Sequence, residues 1–262
     1  MRPIQHKREA YWFYFVVSRV YDRWVNPLFW TADMRSRALE LARLEPGLDV
    51  VDVGAGTGFA SEGIVELADA ERLTLLDQSP HQLAQARAKP ALAGCAIVRG
   101  DAEALPFATD SADRYVSTGS IEYWPDPQRG IAEAYRVLRP GGIAMLAGPV
   151  QPAHPWARRL ADAWMLFPAE EEYRAWFRAA GFTGIEVRRM APDWFAGDFA
   201  VAIAGRKETA GPSPVALAPP EPPDEPMTPR RWLRFAAGSL AGLAFVPVAL
   251  ALTLRARLRR GR

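Results

Sequence analysis

From residue 49 onward, short apolar runs alternate with stretches of helical period. Residues 50–53 (Val-Val-Asp-Val) are apolar on both neighbours of one acid and stop at a glycine turn, which predicts a strand. A helix is expected over 60–67 and a second strand over 73–76. The next helix spans 79–88, with Ser79 as N-cap ahead of Pro80 at its first position. Strands follow at 96–98 and 114–117. A helix over 127–138 ends in Arg139-Pro140-Gly141-Gly142, and a fifth strand covers 143–147. Repeated strand–helix units predict an α/β, doubly wound and mainly parallel sheet with helices on both faces.

Both ends of the chain depart from this rhythm. Residues 10–17 are apolar but short for a signal segment, and no small-residue cleavage site follows. Aromatic residues crowd this start: Tyr11, Trp12, Phe13, Tyr14, Phe15, Tyr21, Trp24, Phe29 and Trp30. Either a helix packs on the domain here, or an aromatic lid or interfacial helix lies beside an apolar substrate. At the other end, Phe235 to Leu254 is free of charge. As a helix it would span about 30 Å, the thickness of a bilayer core. Arginines flank it on both sides, and Gly238 and Gly242 have the spacing of a helix-packing face. The expectation is a C-terminal membrane helix with a cytoplasmic catalytic domain and helix-mediated self-association. The five arginines at 255–262 argue for the opposite orientation, and Pro247 permits a re-entrant path, so topology stays open.

Charge sharpens this division. The formal net charge of +2 hides a value of −3 for residues 1–210, −3 for 211–229 and +8 for 230–262. Eight of the 23 prolines fall in 211–229, so this stretch reads as an extended tether. The expected organisation is an aromatic N-terminal segment (1–45), a catalytic domain (46–210), a linker (211–229) and an arginine-flanked membrane helix with basic tail (230–262). The basic tail belongs to that helix, so nucleic acid is not an expected partner. A single cysteine, Cys95, excludes an internal disulfide and reads as a small buried hydrophobe. Three dispersed histidines (His6, His81, His154) support no metal site.

The glycine turn Asp52-Val53-Gly54-Ala55-Gly56-Thr57-Gly58 carries the chemistry. Glycines let a ligand approach the backbone, and a following helix start offers free N–H groups. Phe59 stands where a dinucleotide fingerprint needs its last glycine. The pattern acid-x-Gly-x-Gly-x-Gly instead resembles motif I of the class I S-adenosylmethionine-dependent methyltransferases, whose fold is Rossmann-like. Asp77, with Gln78 beside it, ends the second strand, where a carboxylate can accept hydrogen bonds from both ribose hydroxyls. The resemblance places Asp101 and Ala102 near the adenine and Thr118 at the methionine end. Asp52, Gly54, Gly56 and Gly58 complete the expected cofactor set.

Longer stretches narrow the resemblance. Asp77-Gln78-Ser79-Pro80-His81-Gln82-Leu83, Ser120-Ile121-Glu122-Tyr123-Trp124-Pro125-Asp126-Pro127 and Trp164-Met165-Leu166-Phe167-Pro168 resemble the 2-methyl-6-phytyl-1,4-benzoquinol and 2-methyl-6-solanesyl-1,4-benzoquinol methyltransferases of tocopherol and plastoquinone synthesis. This implies methylation of a ring carbon of a prenylated benzoquinol, drawn from membrane lipid. Glu122 is the candidate base for the phenolic proton, with a loop salt bridge as its other reading; His6 and His154 are reserve bases. Tyr123 and Trp124 are expected to wall the ring, and Tyr21 with Asp22 to close over it. Residues 156–167 either cover the prenyl tail or form a core helix. Alternatives are a C-methyltransferase of another prenylated quinone, a membrane-anchored cofactor-binding protein without turnover, and a soluble small-molecule O-methyltransferase.

Overall fold

The computed structural model describes residues 29–217 apart from 165 and 196, residues 228–234, and isolated positions beyond (236, 237, 240, 247, 250, 251 and 258). Helix α1 (Ala32–Ala42) begins at Thr31, whose Oγ1 accepts the N–H of Met34. Then come β1 (Val50–Val53), α2 (Phe59–Ile64), β2 (Leu73–Asp77), α3 (Pro80–Arg87), β3 (Ala96–Arg99) and β4 (Ala112–Thr118). Short 3-10 turns at Ala70–Arg72 and Pro90–Leu92 precede β2 and β3, and a third, Ile121–Tyr123, leads to α4 (Pro127–Val137) and β5 (Leu138–Pro149). The chain continues through α5 (Pro155–Trp164), α6 (Glu170–Ala180), β6 (Thr183–Met190) and β7 (Ala200–Arg206).

Seven strands form one sheet in the order β3-β2-β1-β4-β5-β7-β6. The first five pair in parallel, and β7 runs antiparallel between β5 and β6. The strand–helix alternation predicted from sequence thus forms the parallel part. The antiparallel pair β6–β7 was outside that expectation, because a strand's direction is set by its neighbour and not by its own residues.

Helices cover both faces. Met34, Ala38 and Leu39 of α1 pack with Ile64 of α2 and Ala86 of α3 against Val50, Leu73 and Leu75. On the opposite face, Ile131, Tyr135 and Val137 of α4 meet Tyr173 and Phe177 of α6 over Val51 and Leu146. Burial of such side chains contributes about 1.5–3 kcal/mol each. Arg136 of α4, paired with Glu133, donates to the carbonyls of Leu105 and Phe107 and so holds the turn before β4.

Past β7, Lys207 is fully buried. Its ammonium donates to Asp110 (2.6 Å) and to the carbonyls of Tyr135 and Gly211. Gly211 N–H returns to Asp110, and Ser213 donates to the carbonyl of Ala180. The start of the proline-rich stretch is therefore fastened to the domain; residues 218–227 lie outside the described residues.

Residues 229–234 are helical, with Thr228 capping Arg231. Most of the stretch 235–254, including Gly238 and Gly242, lies outside the described residues. Among the described residues no helix is long and apolar enough to cross a membrane. The expected C-terminal membrane helix is thus not supported. An uncharged run establishes only the length a helix would have.

Candidate active site

The strand order reverses between β1 and β4, and the carboxyl ends of the parallel strands open there into a crevice, as doubly wound sheets do. The cleft encloses about 1000 Å³ of empty space, part of it open to solvent. Its walls come from the glycine turn, the β2–α3 turn, the loop after β3, and the segment from Thr118 to Pro125.

The turn after β1 hugs the sheet: the N–H groups of Gly54 and Ala55 both reach the carbonyl of Leu76. Gly54 (φ +71°) and Gly56 (φ +57°) occupy left-handed backbone. A Cβ on Gly54 would lie 2.4 Å from Ser120, and one on Gly56 would lie 2.5 Å from Gln82 Oε1. Both positions favour glycine for conformation, and Gly54 also for space, whereas at Gly56 the neighbour is the movable end of the Gln82 side chain.

Asp77 stands at the mouth of β2. Its Oδ2 accepts the N–H of Gly56 (3.0 Å) and its Oδ1 the N–H of Ser79 (2.8 Å). Burial raises its pKa to about 6, against the opposing pull of these backbone donors. Gln78, Asp101, Ala102 and Thr118 line the same cleft, as do Gly54 and Gly56. Asp101 accepts the N–H of Glu103, whose own carboxylate accepts the N–H of Asp126 at the start of α4.

Two of the expected cofactor residues lie elsewhere. Asp52 is fully buried and does not line the cleft. Strand alternation turns it toward α2, where Ser61 donates to Oδ2 at 2.6 Å and Oδ1 has no partner. Burial raises its pKa to about 7. Gly58 caps α2 and packs beside Leu92, behind the turn. Tyr21, Asp22 and His6 lie outside the described residues.

Glu122 sits on the 3-10 turn and lines the cleft with Tyr123 and Trp124. It is only 4% exposed, and its Oε2 has no hydrogen-bond partner. Burial pushes its pKa up to about 8. No salt bridge holds it among the described residues, so the loop-salt-bridge reading has no partner there. The segment is braced from outside: Leu166 N–H donates to the Glu122 carbonyl, and Trp124 packs over Gly130 of α4.

Phe59, Gln82 and Ser120 are among the further cleft residues that the sequence did not assign to the site, and Trp30, expected only as one of the N-terminal aromatics, lines it too. Trp30 lies against Gly119, and Ser120 shares a hydrogen bond with Ser117. Trp30 carried a signal as the last of the N-terminal aromatics, and Gln82 and Ser120 only as members of the stretches that carry the family resemblance.

Comparison with known proteins agrees with this geometry. A family model, described as a methyltransferase domain, matches residues 51–146. The chain is 53% identical over 256 residues to 2-methyl-6-phytyl-1,4-hydroquinone methyltransferase 1, chloroplastic, of Oryza sativa subsp. japonica, covering 94% of this chain and 78% of that one. It is 54% identical over 255 residues to the Arabidopsis thaliana 2-methyl-6-phytyl-1,4-hydroquinone methyltransferase, chloroplastic (94% and 75%). The chain belongs to this methyltransferase family. A chain in the complex between the Haloferax volcanii Trm112 methyltransferase activator and a putative methyltransferase aligns with a TM-score of 0.58 at 25% identity, covering 79% of this chain and all of that one.

The family thus has the class I Rossmann-like fold here with a seven-stranded mixed sheet, it is enzymatic, and its cofactor is S-adenosylmethionine. One expectation is overturned. Relatives in this family are named chloroplastic, and among the described residues no helix is long and apolar enough to cross a membrane, against the expectation of a cytoplasmic domain held by a C-terminal span.

Proposed function

We propose that this enzyme methylates a ring carbon of a prenylated 1,4-benzoquinol of the tocopherol and plastoquinone type. The observation that carries the reading is Glu122: a buried carboxyl with one oxygen unpaired, flanked by two aromatic side chains in the same cleft as the glycine turn. The names of relatives that are 52–54% identical supply the substrate class.

The cleft fits the cofactor. Two glycines leave room for close backbone approach, and Asp77 offers remaining lone pairs to the ribose hydroxyls. Gln78, Asp101 and Ala102 border the adenine, and Thr118 the methionine end. When bound, S-adenosylmethionine supplies an electrophilic methyl group on a sulfonium.

The ring carbon ortho to a phenolic hydroxyl is a weak nucleophile until the hydroxyl gives up its proton. Glu122 takes that proton, which pushes electron density onto the carbon; once the carbon has gained the methyl group, Glu122 returns the proton to the oxygen and the ring carbon gives up its own hydrogen as a proton to solvent, which restores aromaticity. A carboxyl with pKa near 8 is a far better match to a phenol, ordinarily about 10, than a solvated glutamate. Tyr123, Trp124 and Trp30 wall the ring and exclude water, and alignment supplies much of the acceleration. Tyr21 is placed in the cover over this pocket from the sequence resemblance alone.

The test is incubation of the enzyme with labelled S-adenosylmethionine and a panel of quinols differing in ring and tail, read by mass spectrometry. Label on a ring carbon of 2-methyl-6-prenyl-1,4-benzoquinols is the expected result. Preference for a demethylmenaquinol, or oxygen-linked label on tail-free phenols, would sink the reading.

A further inference from the structure

We infer that Gln82 is a cofactor-binding residue: its side-chain amide donates a hydrogen bond to a ribose hydroxyl oxygen of the adenosyl group, completing the pairing begun by Asp77. The inference rests on the identity of the cofactor and not on that of the methyl acceptor.

Gln82 lies on the first turn of α3, five residues beyond Asp77. The local hydrogen bonds form one chain. Ser79 N–H donates to Asp77 Oδ1, and Ser79 Oγ accepts the N–H of Gln82. The same carboxylate accepts Gly56 N–H, and Gln82 Oε1 lies so close to Gly56 that a Cβ there would meet it at 2.5 Å. Asp77, Gly56 and Gln82 therefore enclose one corner of the cleft.

In that corner the Gln82 side chain is only 4% exposed, and Nε2 has no hydrogen-bond partner. A buried amide left unpaired costs about 1–3 kcal/mol. The same helix buries Leu83 and Ala86, so an apolar residue at position 82 would suit a purely structural role. An unpaired donor on a cleft wall is explained by an acceptor that arrives with the ligand.

The ribose diol has the complementary chemistry. An ionised Asp77 only accepts, so it satisfies the hydroxyl protons and leaves the hydroxyl oxygens with lone pairs in need of a donor. At this corner the Gly56 and Ser79 N–H groups are already spent on Asp77. The Gln82 amide is a buried donor still without a partner there. The pair Asp77 and Gln82 then reads each hydroxyl as both donor and acceptor, which a lone carboxylate cannot do.

The experiment is calorimetric binding of S-adenosylhomocysteine and of its 2′,3′-dideoxy analogue to the full chain and to Gln82→Met, which keeps the side-chain volume and removes the donor. Losing one neutral hydrogen bond corresponds to about a tenfold rise in Kd for S-adenosylhomocysteine. The dideoxy analogue should bind both proteins within about twofold, since it lacks the group that Gln82 reads. Unchanged affinity for S-adenosylhomocysteine overturns the inference. So does an equal loss for both ligands, which would assign Gln82 to shaping the glycine turn. Should Gln82→Met fail to fold, Gln82→Glu keeps the size and Oε1 while replacing the donor with an acceptor. It should weaken S-adenosylhomocysteine more than the dideoxy analogue, and equal effects on the two overturn the inference again. No methyl acceptor enters these measurements, so a wrong substrate assignment leaves their outcome unaffected.

Discussion

The two walls of the cleft carry carboxylates in opposite states. On the wall built from β1, β2 and the turn after each, Asp77 has a backbone donor on each oxygen and sits at the mouth. On the wall after β4, Glu122 is sealed away with one oxygen unpaired, and its pKa stands near 8 against about 6 for Asp77. Backbone donors hold Asp77 as an acceptor, which suits steady binding. Burial with one oxygen unpaired holds Glu122 near the point where it gains and loses a proton, which suits a base. One cleft thus separates gripping from reacting by how far it satisfies each carboxyl.

Glu122→Gln should test that division most severely. We expect kcat to fall by about 10²–10⁴-fold, the usual worth of a general base. S-adenosylhomocysteine should bind the variant as tightly as the native enzyme in calorimetry. In the native enzyme kcat/KM should climb with pH through about 8 and level off above it, and the variant should lack that climb. Normal turnover by Glu122→Gln would remove the base assignment.

Asp77→Ala should produce the mirror image. Loss of two charge-assisted hydrogen bonds is expected to weaken S-adenosylhomocysteine by roughly 100-fold or more. At saturating cofactor, kcat should stay closer to native than it does in Glu122→Gln.

The same contrast has a smaller signature in stability. The folded-state pKa of Glu122 is raised from 4.5 to about 8, so folding favours its protonated form. That favours the folded state fully below pH 4.5 and progressively less as pH rises through 8. Relative to Glu122→Gln, the native protein should lose roughly 3 kcal/mol of stability between pH 5 and pH 8. Parallel denaturation curves at the two pH values would contradict the burial of an unpaired carboxyl.

Asp52→Asn should change least. Asp52 bonds Ser61 beneath the turn and does not reach the cleft, so affinity for S-adenosylhomocysteine should stay within about threefold of native. A loss approaching that of Asp77→Ala would return Asp52 to the cofactor set.

These outcomes bear on how far such a site is legible before its structure is known. Asp52 and Asp77 look alike in sequence: each lies in an apolar strand next to a turn. They differ by one position relative to the strand end and by what covers them, Ser61 of α2 in one case and open cleft in the other. Thr118, Asp101 and Ala102 line the cleft because strand ends of a parallel sheet share one edge. Gln82 looked like an ordinary polar residue in a helix, since its importance depends on Gly56 and Asp77 folding onto it.

The sequence by itself determined the alternation of strands and helices, the Ser79 cap, the glycine turn and the carboxyl at the end of β2. Each depends on residues within a few positions of one another, where sterics and local hydrogen bonds decide. Only the tertiary structure decided the antiparallel insertion of β7, the burial of Lys207, the sealing of Asp52, and the unpaired states of Glu122 and Gln82. Direction, burial and the lack of a partner are set by elements far apart in the chain. Glu122 is enclosed by a fold that brings Leu166 and Tyr173 against the turn after β4, and no spacing within that turn encodes it.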